Sequence, residues 1–357
     1  MLAWQHSDAI DLICTDKWNE TPDTISFSLA SINRDTLFDF KPGQFVTLGF
    51  SLSDKTVYRA YSISSLPMHN QLKMTVKRVN KGLVSNYIVD QLAVGDQVTA
   101  LKPAGSFNSI DCAPSKKVLM LSAGCGITPV ISMVKQWLSN NIDIDIDFIH
   151  QAKNTENTIY FSELEAIAQQ HKNFHLKLLL KDSKGSSYQQ GRFDQQWLEK
   201  LCPDVLQRTV YLCGPVGFMQ DARCYLEQLD FDMTQFFEES FTPEAKNVVP
   251  ENEPYALDTE LINSSKLVTG SVSVSVPTFA AQVDVEVDSI LIDALEQAGV
   301  PVIAACRSGI CGSCKCKVKV GEVERTSTET LTDQEVDQGF VLACSCKIKS
   351  DLEISLN

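Results

Sequence analysis

Four cysteines near the C-terminus constrain this chain more than any other feature. In "CRSGICGSCKCKV", Cys306, Cys311 and Cys314 follow C-x4-C-x2-C spacing, and 29 residues separate Cys314 from Cys344. That is the plant-type spacing for a [2Fe–2S] cluster. Two ferric ions need four thiolates, and a long loop with one distant closing cysteine supplies them. Small residues at Ser308, Gly309, Gly312 and Ser313 let backbone N–H groups approach the sulfurs, and such hydrogen bonds tune a cluster's potential. The competing use of the same residues is an all-cysteine zinc site, which favours paired short spacings. Cys316 and Cys346 each lie two residues beyond a candidate ligand and read as small packed side chains.

A disulfide framework is the third use of cysteines, and the remaining sequence argues against it. The N-terminal stretch "MLAWQHSDAIDLICTDKW" lacks the basic end and apolar run of a secretion signal. No stretch reaches the roughly 18–20 apolar residues of a membrane span. A cytoplasmic location is therefore expected, where structural disulfides are rare. The chain has 31 basic and 45 acidic residues, a net charge of −14, without a basic block. That argues against nucleic-acid and anionic-membrane partners.

Three regions and a linker are expected from patterning over 357 residues. Residues 8–112 contain the β-rich runs "DTISFSLA", "GQFVTLGF", "VYRAYSIS", "QLKMTVKRV" and "DQVTALKP", with one helix at "LVSNYIVDQL". This predicts an antiparallel β-barrel domain. Residues 113–240 alternate apolar strands with helices: "KKVLMLSAG" then "PVISMVKQWL", "IDIDIDFIH" then "YFSELEAIAQQ", followed by "HLKLLLKD" and "TVYLCGP". Such alternation predicts an α/β domain with a doubly wound parallel sheet. Residues 241–270 are rich in Pro, Asn, Ser and Glu and read as a linker. Residues 271–357 open with a hairpin at "SVSVSVPTFAAQVDVEV". The helix "SILIDALEQAGV" follows, with Ile290, Leu291, Ala294, Leu295 and Ala298 on one face.

"RAYSIS" at 59–64, "GCGITP" at 124–129 and "LCGPVGFM" at 212–219 resemble the ferredoxin–NADP reductase superfamily. Residues 273–357 resemble a plant-type ferredoxin of the α+β β-grasp class. In "AACRSGICGSCK", "LTDQEVDQGFVLACSC" and "FFEESFTP" the chain most resembles NADH oxidoreductases of the hybrid-cluster protein. "FKPGQFVTL" and "SAGCGITPVISM" carry a similar likeness to reductases of Rieske-type oxygenases. The resemblance implies FAD (the sequence alone leaves FMN open), NADH and a [2Fe–2S] cluster, with electrons passed to the hybrid-cluster protein or to a Rieske oxygenase.

The resemblance also implies residue roles. Arg59 would pair with the flavin pyrophosphate, because its planar fork matches phosphate oxygens. Ala60 lies between it and Tyr61, which would stack on the flavin ring, and Ser62 would hydrogen-bond near its N5. Lys77 opens a second phosphate segment in which Gly82 allows close approach and Ser85 meets the anion at a helix start. "PAGSF" at 103–107 resembles a turn near the flavin. Gly124 and Gly126 form a phosphate-binding turn after a strand. Pro129 stands where a third glycine would be, in a first helical turn that tolerates it, and Thr128 is expected to cap that helix. Cys213 would lie beside the nicotinamide, above Gly214 and Pro215. Glu239 or Phe241 would approach the flavin. Lys153 is the one cation in "IHQAKNTENTIY", which favours NADH over NADPH. His150 is read as a strand-end residue rather than a catalytic base.

Overall fold

The computed structural model describes residues 9–52, 55–241, 270–304, 307, 309, 312–328 and 330–356. The chain divides into two compact units at Phe241/Thr242. The first contains an antiparallel sheet of β1 (Ala9–Thr21), β2 (Thr24–Ser31), β3 (Phe45–Leu52), β4 (Lys55–Ser62), β5 (Leu72–Lys77) and β6 (Gln97–Leu101), in the order β4-β3-β6-β1-β2-β5. Beyond the two outer strands, Ser64 N–H donates to the Lys73 carbonyl at 2.8 Å and draws the edges together into a barrel. Leu12, Phe27, Leu29, Leu48 and Met74 fill the interior with no exposure, each stabilising the fold by about 1.5–3 kcal/mol. Helix α1 (Leu83–Asp90) packs Val84 and Ile88 against that core. Its C-terminal carbonyl end is capped by Lys17, whose Nζ donates to Val89 and Leu92 carbonyls at 3.0 and 2.8 Å. Strand β1 is absent from the sequence reading. Register shifts at Cys14/Asp16 and Asn19/Thr21 interrupt its two-residue alternation, and charged side chains occupy its outer face.

The second part of this unit is a parallel sheet of β7 (Lys117–Ala123), β8 (Asp145–Ala152), β9 (Phe174–Leu180), β10 (Gln189–Gln190), β11 (Thr209–Cys213) and β12 (Phe236–Glu239). Its order is β10-β9-β8-β7-β11-β12. Helices α2 (Ile127–Ser139), α3 (Phe161–Gln170), α4 (Gln195–Leu201) and α5 (Val216–Gln228) connect the strands. Val118 and Met120 join the core of α2, whereas Leu119 and Leu121 join that of α5, so helices cover both faces. The winding direction reverses between β7 and β11. The crevice at their C-terminal ends is where such sheets bind ligands.

The C-terminal unit is a β-grasp. Strands β13 (Ser271–Val276), β14 (Ala281–Glu286), β15 (Lys315–Val320), β16 (Val323–Arg325), β17 (Phe340–Leu342), β18 (Cys346–Ile348) and β19 (Leu352–Leu356) accompany helices α6 (Leu291–Gln297) and α7 (Asp333–Asp337). The main sheet runs β14-β13-β19-β15-β17, with β13 and β19 parallel at its centre. Leu291, Ile292, Ala294 and Leu295 of α6 are buried against it. Cys316 and Cys346 are fully buried in the same core, as packed side chains. The 241–270 linker lies outside the described residues except for its ends.

Candidate functional site

The two halves of the first unit bring their chemistry-bearing residues together at the mouth of the crevice. In β4, Tyr61 pairs with Val46 and Ser62 with Phe45. Phe45 in turn bridges to Ala104, and the next residue, Gly105, has φ +115°. A Cβ on Gly105 would lie 3.1 Å from the Phe45 ring and 3.8 Å from Glu239 Oε1. In β11–β12 register, Glu239 lies beside Cys213. On the other side, a Cβ at Gly126 would fall 2.0 Å from the Cys213 carbonyl oxygen, so only glycine lets the turn and strand meet. Gly124 has φ +54°, with open space where a side chain would project, which leaves its backbone accessible.

The electrostatics of this junction favour neutral groups. Burial lifts the Cys213 thiol well above its usual range, with Glu239 and Cys125 adding to the effect. Burial likewise pushes Cys125 up to about 11, while the Lys77 backbone amide facing it acts in the opposite sense. The Tyr61 phenol is raised by burial too. Burial alone pushes the Glu239 carboxyl up to about 8, which favours its protonated form. Cys213 is thus a neutral, packed thiol rather than a nucleophile. Among the described residues, four buried side-chain atoms have no hydrogen-bond partner: Ser62 Oγ, Ser109 Oγ, His150 Nε2 and Glu239 Oε2. Two of these four, Ser62 and Glu239, flank the junction. Buried polar atoms are normally paired, so this is the pattern left by a polar ligand.

Arg59 is exposed on β4, and its Nη1 donates to the Tyr58 carbonyl at 2.7 Å. Ala60 is half-buried beside it. Its neighbour in cation chemistry, Arg78, is instead committed to a bidentate pair with Asp90. At the start of α1, Gly82 is the N-cap without a side-chain cap bond, and a Cβ there would strike Ser85 Oγ at 2.4 Å. The Ser85 hydroxyl accepts the Val79 N–H at 3.2 Å. The exposed guanidinium and the helix start suit an anionic phosphate.

Thr128 does not cap α2. Gly126 is the N-cap residue, and the buried Thr128 hydroxyl donates to the Cys125 carbonyl at 2.9 Å. A 3-10 turn at Gly124–Gly126 precedes the helix and shifts its start past the expected cap. Pro129 occupies the third position of α2, within the first turn. Gly214 and Pro215 lead from β11 into α5, with Pro215 as N-cap. Glu239 is buried, whereas Phe241 is 49 % exposed. Lys153 is exposed beyond β8. His150 is fully buried, with Nδ1 2.8 Å from Ser122 Oγ, and burial lowers it to about 3. Burial therefore keeps the ring neutral, bonded to Ser122 inside the sheet. Asp145, Asp147 and Asp204 also crowd together, yet Arg208 pairs with them at 2.7, 3.4 and 2.7 Å, and Lys177 and Lys117 pair with Asp147 and Asp204 at 2.5 and 2.9 Å.

In the C-terminal unit, antiparallel pairing of Lys315 with Leu342 brings Cys314, just before β15, beside Cys344, just after β17, and their sulfurs lie 3.2 Å apart without a disulfide. The Gly309 N–H donates to Cys344 Sγ at 3.2 Å, and the Cys344 N–H to Cys314 Sγ at 3.5 Å. Gly309 has φ +75°, and a Cβ there would lie 2.7–2.8 Å from the Ser327 and Ser345 Cβ atoms. Two buried sulfurs served by backbone donors fit an iron–sulfur cluster. Cys306 and Cys311 lie outside the described residues.

The sequence matches the families described as oxidoreductase FAD-binding domain at residues 11–109, oxidoreductase NAD-binding domain at 120–224, and 2Fe-2S iron-sulfur cluster binding domain at 279–349. The glycine betaine monooxygenase reductase subunit of Chromohalobacter salexigens is 33% identical over 96% of this chain and 94% of its own. The NADH oxidoreductase HCR of Escherichia coli is 33% identical over 94% of both. The solved phthalate dioxygenase reductase shares the fold over 98% of both chains, with a TM-score of 0.63 and 23% identity. The FAD/NAD-binding domain of the Vibrio cholerae nitric oxide dioxygenase matches 66% of this chain and all of its own, with a TM-score of 0.60 and 27% identity.

Proposed function

Because this chain belongs to the family of FAD- and NAD-binding reductases with a 2Fe-2S domain, we propose that it serves as the reductase component of a Rieske-type oxygenase, one that demethylates betaine-like substrates. The supporting observation is the near end-to-end alignment with the betaine monooxygenase reductase subunit. A stachydrine N-demethylase reductase subunit of Rhizobium meliloti aligns over 96% of the chain at 32% identity as well. A second reading, reduction of a hybrid-cluster protein, is favoured by the similarly extensive alignment with NADH oxidoreductase HCR.

Bound FAD would supply two-electron exchange with NADH and one-electron exchange with a [2Fe–2S] cluster. The chain supplies position and polarity. Arg59 and the Gly82 helix start hold the flavin phosphates, with Lys77 and Ser85 beside them. Tyr61 covers the ring, and Ser62 offers its unpartnered hydroxyl at the reactive edge. Gly124 and Gly126, with Thr128 and Pro129 behind them, form the nucleotide turn. Cys213, Gly214 and Pro215 would line the nicotinamide pocket, with the Cys213 thiol held neutral by burial. Glu239, protonated and unpartnered at Oε2, completes the polar edge. Cys306, Cys311, Cys314 and Cys344 hold the cluster.

Arg59→Ala is expected to weaken flavin retention by roughly 1.5–3 kcal/mol, about ten- to a hundredfold in affinity, through loss of a charge-assisted contact. Flavin content after dilution and gel filtration checks this, and an unchanged content would remove Arg59 from the site.

The acceptor is identified by reconstitution. The purified protein, NADH, O2, glycine betaine and a betaine-demethylating oxygenase are expected to release formaldehyde with one NADH and one O2 consumed per turnover. Efficient reduction of a hybrid-cluster protein, with no coupled demethylation, would replace the first reading by the second.

A further inference from the structure

The barrel and the parallel sheet are tied together by a buried polar seam. Tyr160, 2 % exposed, caps the start of α3 in a left-handed conformation (φ +60°, ψ +25°) that a bulky residue adopts only when its surroundings impose it. Its hydroxyl bonds that of Thr75 on β5. Thr75 bonds Ser26 on β2 at 2.6 Å, and Ser26 donates to the Glu20 carboxylate on β1 at 2.7 Å. Alongside runs a second tie. Lys135 on α2 pairs with Glu163 at 2.5 Å and donates to the Ser64 carbonyl at 3.2 Å. Lys73 pairs with Glu163 and Glu20 at 3.6 and 3.7 Å, and its ammonium sits 4.4 Å from the Tyr160 ring centroid. The side chains of Lys135 and Lys73 are only 15% and 19% exposed, a costly placement unless each charge is matched.

Three members of this seam lie close in the chain to the candidate site. Lys135 is about 12 Å along α2 from the turn at Gly124–Gly126. Thr75 stands two residues before Lys77, whose amide faces Cys125. Ser64 stands two residues after Ser62, with its unpartnered hydroxyl. We propose that Tyr160, Thr75 and Lys135 are positioning residues: they clasp the nucleotide helix to the flavin strands and thereby set the approach of nicotinamide to flavin. The proposal rests on the reading of the site as a hydride-transfer site.

The test uses the full-length, FAD-loaded protein. Tyr160→Phe and Thr75→Val cut the same hydrogen bond from its two sides, and Lys135→Met cuts the independent tie to Ser64. Stopped-flow flavin bleaching is followed at saturating NADH, with FAD content and dithionite reduction measured in parallel. The expected result is flavin reduction slowed about ten- to a hundredfold, as small misplacements at a reacting pair produce, with FAD content and dithionite reduction preserved. Full-rate bleaching in the variants that fold, with only a lower Tm, would overturn the proposal, as would failure of all three to fold, which would mark the seam as purely structural. Failure of the unsubstituted protein to bleach with NADH would instead overturn the reading of the site, and the clasp with it.

Discussion

A Cys344→Ser variant is expected to lose its iron–sulfur cluster while keeping its flavin. Cys344 Sγ sits 3.2 Å from Cys314 Sγ and receives the Gly309 N–H, so it is both a ligand position and the acceptor of a potential-tuning hydrogen bond. A serine oxygen is a harder ligand, a poorer match for ferric iron bridged by sulfide. Iron should fall from about two per chain toward zero, and the rhombic low-temperature EPR signal of the dithionite-reduced protein should vanish. FAD should stay near one per chain, because the flavin residues lie in the other compact unit. Cys346→Ser is the control. Its thiol is fully buried in the β-grasp core, where burial pushes it up to about 12, and its replacement should cost stability while keeping the signal. Stoichiometric zinc without acid-labile sulfide in the purified protein would contradict the assignment, as would an unchanged signal in Cys344→Ser.

Elements whose chemistry is local were legible in the sequence. The C-x4-C-x2-C run points to a 2Fe-2S domain because cluster geometry dictates spacing, and the family match at 279–349 agrees. The alternating residues of β13 and β14 pair in one unbroken register, from Ser271↔Glu286 to Val276↔Ala281. The strand–glycine–helix sequence around Gly124–Pro129 also folds as its pattern requires. Where local signal was weak, the reading fell short. Strand β1 carries two register shifts and several charges, so neither alternation nor apolar content marks it. Helix α5 has a weak sequence signal because it buries only Met219, Ala222 and Leu226, with Asp221, Arg223 and Glu227 set between them. Thr128 was read as a cap from its residue type alone, and the 3-10 turn that moves the helix start has no sequence signal.

Other features are invisible because they depend on residues distant in the chain. Tyr160 meets Thr75 across 85 residues, and nothing in "NTIYFSEL" hints at a clasp. The Glu239 carboxyl becomes neutral only because β12 pairs beside β11 and buries it. Burial in the folded state decides that chemistry, and residue type does not. Partner choice is less legible still, since a betaine monooxygenase reductase subunit and NADH oxidoreductase HCR are both 33% identical to this chain.

The central claim is that electrons enter through the flavin part and leave only through the cluster. A chain ending at Asn252 tests it most directly. Residues 9–241 form their own compact unit with complete cores, and a solved FAD/NAD-binding domain of comparable extent stands alone. The truncated protein should therefore fold, bind FAD and oxidise NADH with ferricyanide, which takes electrons from the flavin. The full-length protein should also reduce the protein acceptor, more slowly at high salt if the 13 acids and 7 bases from Ser273 onward steer docking. The decisive measurement is the rate of protein-acceptor reduction by the truncated chain, alongside its ferricyanide rate. The account predicts an undiminished ferricyanide rate with acceptor reduction at background. Acceptor reduction at the full-length rate would contradict it.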